Sequence, residues 1–328
     1  MEGGANIRIS VALSTYNGER YLGAQLESIA AQSRLPDELV VRDDCSLDST
    51  VERLVAFTRT APFEVRLQAG RDNLGAVGSF GAAISACRGD VIALADQDDV
   101  WLPDKLARLE ATLVKNRDVG LVFSDAEIVD SELRPMGYTA FRAFGVGGRD
   151  LRRIASGDAL SVLIRGGIVS GCTLAFRAAY RDLVLPFPKA GWWIHDGWIA
   201  LMVAAVADVA VVPVPLVKYR RHPLQELGAP ESGVRNQLAR TRPAGRGALI
   251  DSIMALSEAQ RRLQRTAPFR VDERSLRLID RRIQHLNKRA AMPAQPLHRV
   301  AAAARSLASG EYVDQPRWIR SFARDILG

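Results

Sequence analysis

Cysteine is scarce in this chain. Cys45, Cys87 and Cys172 are the only three in 328 residues, far apart and without a CxxC pair. That excludes a disulfide framework and a zinc ribbon, and a reducing compartment is the simpler setting. A basic, apolar leader is also missing: Met1-Glu2-Gly3-Gly4 opens the chain and a strand signal begins by Ile7, so no secretory signal is expected. The longest stretch with little charge, 199–217, is about the length of a bilayer crossing, but it carries Asp208 midway and Pro213 and Pro215 near its end. Prolines there break a helix, so the stretch predicts a buried helix at about 196–207 and a buried strand at 209–214. Internal repeats and low-complexity tracts are absent; the alanine run 301–304 is too short to count. What remains is ordinary for a soluble globular enzyme, 48% hydrophobic and 25% charged, with room for one large domain and a smaller one.

Charge is distributed unevenly. The net charge is +7, yet residues 226–328 carry 19 Lys/Arg against 10 Asp/Glu, while the first 225 carry 25 against 27. The basic segment lacks interleaved aromatics and any base-reading motif, so nucleic acid is not the expected partner. Basic amphipathic helices at about 248–265, 272–291 and 296–309, with apolar positions such as Ile250, Ile253, Leu256 and Leu263, fit peripheral contact with an anionic membrane. A helical cap or an oligomer interface with solvated Arg faces fits them as well. His285 and His298 fall on these helices and read as surface residues. Gly, Pro and Arg dominate 228–247, which reads as a linker. The expected organisation is a catalytic domain over 1–227, the linker, and a basic helical segment over 248–328.

The first 125 residues alternate strand and helix signals. Apolar strands are expected at 7–13, 39–42, 63–67, 91–94 and 120–123, with helices at about 19–32, 48–60, 75–87 and 103–116. That order predicts an α/β fold, a mostly parallel sheet with helices on both faces. Residues 46–50 offer N-cap chemistry to the second helix, and Pro103-Asp104 opens the fourth. Beyond 125 the pattern predicts a long loop at 134–149, a helix at about 150–165 and a strand at about 169–176.

The chemistry gathers at the expected strand ends, where ligands bind in such sheets. Asp96-Gln97-Asp98-Asp99 puts three carboxylates into four residues directly after the apolar run 91–94. Such a cluster repels itself unless a cation or an alcohol-rich ligand sits between the charges, and oxygen ligands suit Mg²⁺ or Mn²⁺. Ser14-Thr15-Tyr16-Asn17 follows the first strand and offers a ring for stacking beside hydroxyls. Asp43-Asp44-Cys45-Ser46-Leu47-Asp48 follows the second. His195-Asp196-Gly197-Trp198 places an acid at a helix start among Trp192, Trp193 and Trp198.

Together and in this order, these blocks resemble the inverting GT-A nucleotide-sugar glycosyltransferases of family 2, over about residues 7–225. Asn73-Leu74-Gly75 belongs to the same pattern. Asp96 to Trp101 followed by Leu102-Pro103-Asp104-Lys105-Leu106 is similar to a bacterial rhamnosyltransferase-like subgroup, as is Tyr219-Arg220-Arg221-His222. The resemblance implies a GT-A fold and a set of roles. Ser14 and Tyr16 would hold the base, with Tyr16 stacking, and Asp44, or its neighbour Asp43, would accept the pyrimidine N3–H. Asp96 would meet the ribose, Asp98 and His222 a divalent cation (Mn²⁺ or Mg²⁺), and Asp196 would be the general base. Asp99 would support the cluster, Trp101 would pack beneath the turn, and Cys172 would pack rather than react. It implies a dTDP- or UDP-sugar donor and a glycan or lipid-linked acceptor, in bacterial surface or extracellular polysaccharide synthesis, at or near the cytoplasmic face of the membrane. The chain differs from the subgroup at Gly197 and at Pro223-Leu224-Gln225. A sugar nucleotidyltransferase would need a Gly-rich basic loop where Ser-Thr-Tyr-Asn-Gly-Glu-Arg stands. A silent nucleotide-sugar-binding scaffold is at odds with the full set of carboxylates.

Overall fold

Four parallel strands form the half of the sheet that carries the acidic motif. They are β1 (Ile9–Thr15), β2 (Glu38–Asp43), β3 (Glu64–Ala69) and β4 (Val91–Asp96), in the order β3-β2-β1-β4. The helices between them are α1 (Leu22–Ala30), α2 (Thr50–Thr58) and α3 (Gly75–Ala86). The computed structural model describes residues 7–188, 194–223, 225, 246–265, 269–292 and positions 300, 301, 304, 305 and 308. β1 and β4 are buried on both faces, with Val11, Leu13, Ile92 and Leu94 fully enclosed. Continuous apolar strands of this kind belong at the centre of a parallel sheet. Each buried Leu or Val contributes on the order of 1.5–3 kcal/mol. The register pairs Thr15 with Asp43 and Ser14 with Asp96, so the three strands end level.

The second half is mixed. After β5 (Val100–Trp101) and α4 (Lys105–Lys115) come β6 (Val119–Val129), β7 (Pro135–Thr139), α5 (Ala140–Phe144), α6 (Gly148–Ala155) and α7 (Ala159–Leu163). A single tight turn, Gly171–Thr173, leads into β8 (Leu174–Arg177), followed by α8 (Arg181–Val184), α9 (His195–Ala204) and β9 (Asp208–Arg220). The sheet continues β4-β8-β6-β9-β5, with β7 paired to β6. β8 is antiparallel to both β4 and β6, while β9 runs parallel to β6.

Several elements depart from the sequence reading. The expected loop at 134–149 contains β7 and α5. α5 closes at Gly145, in the left-handed conformation at φ 69, where Val146 N–H reaches back to the Phe141 carbonyl at 2.7 Å. The expected helix at 150–165 is two helices, divided at Gly157 with φ 82. The strand expected from 209 to 214 runs on to Arg220 through both prolines. Between Val212 and Pro215 the register with β6 shifts, so Pro213 falls in an irregularity that asks no ladder donor of it. Among the described residues no helix is long and apolar enough to cross a membrane.

The described residues fall into two compact units, one within 1–187 and 194–229, the other within 188–193 and 230–328. The second consists chiefly of α10 (Arg246–Arg265) and α11 (Glu273–Ala290), packed on each other. Asp272 caps α11 by accepting Ser275 N–H at 2.6 Å. The buried stripe of α10 is Leu249, Ala255, Leu256, Ala259 and Leu263, so Leu256 and Leu263 face inward as expected, while Ile250 is exposed and Ile253 only half-buried. His285 is a correction: it is buried in α11, not on the surface. Most of the expected 296–309 helix, residues 228–245 of the expected linker, His298, Trp192 and Trp193 lie outside the described residues, while 246 and 247 already belong to α10.

Candidate active site

The level ends of β1, β2 and β4 bring the first three motifs to one edge of the sheet. Tyr16 follows β1 and is 46% exposed, a platform open to a ligand. Its backbone is fixed from the acidic motif. Gln97 Oε1 accepts the Tyr16 N–H and Gln97 Nε2 donates to the Tyr16 carbonyl, both at 2.9 Å. A Cβ on Gly18 would come within 2.2 Å of Gln97 Oε1, so this close approach requires glycine. Asn17, left-handed at φ 46, ties the loop sideways: its N–H donates to Ser46 Oγ, and its Oδ1 accepts the Leu47 N–H. Gln97 and Asn17 therefore hold the platform, a role that the residue order alone did not reveal.

The two carboxylates after β2 are both buried and both engaged. Asp43 accepts the Thr15 hydroxyl at 2.9 Å and the Ser46 N–H and hydroxyl at 3.0 and 2.6 Å. Asp44 caps α3, accepting the N–H groups of Leu74 and Gly75 at 2.8 and 2.9 Å. This explains the Asn73-Leu74-Gly75 block: it is the helix start that Asp44 satisfies. Each Asp44 oxygen keeps a further lone pair.

The acidic motif is divided by β9. Asp98 Oδ2 lies 2.8 Å from His222 Nε2, and Asp99 Oδ1 accepts the Arg220 N–H at 2.9 Å. Arg220 Nε donates to the Asp98 carbonyl at 2.7 Å, and its guanidinium lies 4.6 Å over the Tyr21 ring. Tyr21 in turn packs on the His222 imidazole, ring centres 4.5 Å apart. The structure thus brings Asp98 and His222 together and adds Arg220 and Tyr21 as their support. Asp96 stands half-buried beside Ser14. Its pKa is raised, first by burial, then by Asp98 and by Asp196. Asp99 is raised well above the carboxylate range by burial, then by Asp98 and Asp96.

Asp196 occupies the first turn of α9, 8% exposed. Oδ2 accepts the Gly171 N–H at 3.0 Å and Oδ1 accepts the Gly197 N–H at 2.5 Å. Burial pushes its pKa to about 6, against those two bonds. It is close enough to Asp96 to raise that residue, which puts it on the acidic side of the site. Its neighbour His195 stacks on Phe80 and is held neutral by burial, its pKa pushed down to about 3.

Two sets of atoms could take a cation. Asp96, Asp99 and Cys172 offer ligand atoms within 4.8 Å of one another. The Cys172 thiol is buried and driven far above its usual pKa, and a thiol is a poor partner for a hard ion. Asp98 with His222 gives oxygen and imidazole donors. His222 Nε2 faces Asp98 Oδ2 at 2.8 Å and donates to the ionised carboxylate, while Nδ1 is buried without a hydrogen-bond partner, so a cation bound between Asp98 and Nε2 would take the place of that proton. That donor set fits Mn²⁺ or Mg²⁺ better.

The profile of Glycosyl transferase family 2 matches residues 10–184. The chain belongs to glycosyltransferase family 2. The match covers every motif up to the acidic cluster, while Asp196 and His222 lie past its end. This family 2 chain is 31% identical over 225 residues to an uncharacterized glycosyltransferase of Nostoc sp., covering 66% of this chain and 65% of that one. It is 30% identical over 177 residues to the putative glycosyltransferase EpsE of Bacillus subtilis, covering 54% and 59%. It therefore spans somewhat under two thirds of these relatives' length. Among solved structures it resembles S. aureus TarS 1–349 in complex with UDP-GlcNAc, with a TM-score of 0.61, 16% identity, and 98% and 88% of the two chains covered. The mannosyltransferase PcManGT of Pyrobaculum calidifontis, in complex with GDP-Man and Mn²⁺, gives a TM-score of 0.55 at 17% identity, covering 98% and 84%. At such identities the likeness establishes the GT-A type of fold.

Proposed function

We propose that this protein is a metal-dependent, inverting glycosyltransferase that moves a sugar from a nucleoside-diphosphate donor to an acceptor hydroxyl. The observation that carries it is the shared edge. Tyr16, Asp44, Asp96 and Asp98 leave three strands that end in register, with His222 on Asp98 and Asp196 beside Asp96. Ser14 and the exposed Tyr16 ring take the base, Asp44 its N3–H through a remaining lone pair, and Asp96 the ribose hydroxyls. Asp98 and His222 hold the divalent cation, which neutralises charge on the departing diphosphate. Asp196, ionised above pH 6 and oriented by two backbone N–H groups, takes the proton of the attacking hydroxyl. With Asp96 on the ribose and Asp98 on the cation, Asp196 is the carboxylate left for proton removal, which favours one displacement with inversion.

The donor is a dTDP- or UDP-sugar, since thymine and uracil present the same N3–H; dTDP-rhamnose is the donor favoured by the Asp96-to-Leu106 block. The acceptor is a glycan or a lipid-linked saccharide of a bacterial surface or extracellular polysaccharide. In support, a 28% identical relative from Escherichia coli over 123 residues is named a glucosyltransferase acting on a diphosphoundecaprenol-linked sugar. The decisive experiment measures release of nucleoside diphosphate from a panel of nucleotide-sugars with Mn²⁺ or Mg²⁺. Turnover of a dTDP- or UDP-sugar is expected, and none with any donor overturns the reading. In the same assay Tyr16→Ala raises donor KM about tenfold, since base stacking on an aromatic contributes about 1–3 kcal/mol. An unchanged KM removes Tyr16 from the base site.

The charge excess of residues 226–328 supports peripheral contact with an anionic leaflet, where a lipid-linked acceptor resides. The full chain is expected to float with vesicles containing phosphatidylglycerol, and to be released by high salt, which screens such contacts. Equal recovery with neutral vesicles sinks this part of the proposal.

A further inference from the structure

Lys105 is the first residue of α4 and is fully enclosed at 0% exposure. Its ammonium donates to the Cys172 carbonyl at 2.6 Å and lies 3.2 Å over the Trp101 ring. The carboxylates of Asp99 and Asp96 act on it electrostatically, while burial lowers its pKa to about 7. Burying an ammonium costs several kcal/mol unless its surroundings repay it. Methionine or leucine would fill the same space without that cost, so the charge and its donor call for a purpose beyond packing.

The contact partner supplies one. Cys172 sits in the turn Gly171–Thr173, closed by Thr173 N–H and hydroxyl on the Ser170 carbonyl at 3.0 and 2.7 Å. The residue before it in that turn, Gly171, gives its N–H to Asp196 Oδ2. A side chain on Gly171 would meet His195 Nε2 at 2.9 Å, so the turn is pressed against the start of α9 and has little room to move alone. Lys105, on the helix that follows the acidic motif, therefore grips the Cys172 carbonyl of a turn whose Gly171 N–H, two peptide groups earlier, grips Asp196.

We propose that Lys105 is a positioning residue that sets the orientation of Asp196 through the Gly171–Thr173 turn, joining the side of the site that holds the diphosphate to the side that activates the acceptor. Without the ammonium, the Cys172 carbonyl is a buried acceptor without its partner, and the turn relaxes to find another. Asp196 then loses its Oδ2 restraint and the geometry for proton removal. Asp96, from β4, is the charged group that faces Asp196 across the site. The inference rests on Asp196 being the base.

The test is a double-mutant cycle in the full-length enzyme, with kcat and donor KM measured for wild type, Lys105→Met, Asp196→Asn and the double variant. A misplacement of about 1 Å costs on the order of 10²-fold in rate. Lys105→Met is therefore expected to lower kcat by about that factor in the wild-type background and by less than about threefold when Asp196 is already Asn, because residues acting as a unit are non-additive. Donor KM stays within about threefold, since Lys105 makes no hydrogen bond to Tyr16, Asp44 or Asp96 and its ammonium is spent on the Cys172 carbonyl. An equal loss of kcat in both backgrounds, or a kcat unaffected by Lys105→Met, overturns the proposal. If Lys105→Met is not recovered folded, Lys105→Gln, which keeps a donor for the carbonyl, is read by the same cycle: non-additivity supports the coupling, and additivity overturns it. Failure of the wider reading looks different, since wild type itself then turns over no donor.

Discussion

Asp196→Asn lowers kcat by about 10²–10⁴-fold with donor KM little changed, the range of a lost general base. The carboxylate is placed by backbone groups, Gly171 N–H on one oxygen and Gly197 N–H on the other, so asparagine fills the same space with one acceptor fewer and no basicity. Burial raises its pKa from 3.8 to about 6. Proton removal needs the ionised form, so kcat is level above that pH and falls tenfold per unit below it, with an acid limb near 6. The stability consequence has the opposite sense. A carboxyl raised on folding adds stability that is complete below its unfolded pKa and lost as pH climbs through about 6, roughly 3 kcal/mol at most. Holding Asp196 ionised near neutral pH thus comes at some cost to the fold. Steady-state rates from pH 4.5 to 8.5 check this. An acid limb that survives in Asp196→Asn, or a kcat within tenfold of wild type, removes Asp196 from the chemistry.

Asp98→Ala lowers turnover by about 10³-fold, since charge stabilisation by a metal contributes several kcal/mol and each 1.4 kcal/mol is a factor of ten. Its Oδ2 is the carboxylate atom His222 touches, so the variant removes one of the two proposed cation ligands and leaves His222 Nε2 without its contact. Calorimetry separates this effect from misfolding. UDP binding measured with and without Mn²⁺ is expected to be metal-enhanced in wild type and metal-independent in Asp98→Ala. Asp99→Ala acts by another route. It strips the acceptor from Arg220 N–H, so the loss appears in thermal stability as well as in rate. Metal-enhanced binding that persists in Asp98→Ala would assign the cation to other ligands, with Asp96, Asp99 and Cys172 the set to examine next.

The parts of the site that could be read from the sequence are those on strand ends. An apolar run such as 91–94 followed at once by acids identifies its own element and its own edge, because in a parallel sheet both the burial and the ligand edge follow from the strand. Asp96, Asp98, Tyr16 and Asp44 were legible for that reason. Gln97 was not: an amide between acids gives no sign that it will reach 81 residues back to both backbone groups of Tyr16. Arg220 and Tyr21 were hidden in the same way, since their value lies in contacts with each other and with Asp99. The misread elements share a cause. The 134–149 stretch looked like a loop because its short strand and helix owe their form to pairing with β6 and to the left-handed Gly145, not to local periodicity. His285 looked exposed because it sits among arginines, and packing between α10 and α11 encloses it.

The sequence by itself determined the α/β order, the strand ends that bear the chemistry, and the absence of a cysteine framework, all of which follow from local pattern and composition. Only the tertiary structure decided how the three acids of the motif divide. Asp98 turns to His222, Asp99 to the backbone of Arg220, and Asp96 towards Ser14 and Asp196. It also decided that Asp44 caps α3 and that buried Lys105 and Asp196 share one turn. The physical reason is distance along the chain. Direction of a short carboxylate is set by whichever donor the fold brings within about 3 Å, and here those donors come from strands and turns far away in sequence.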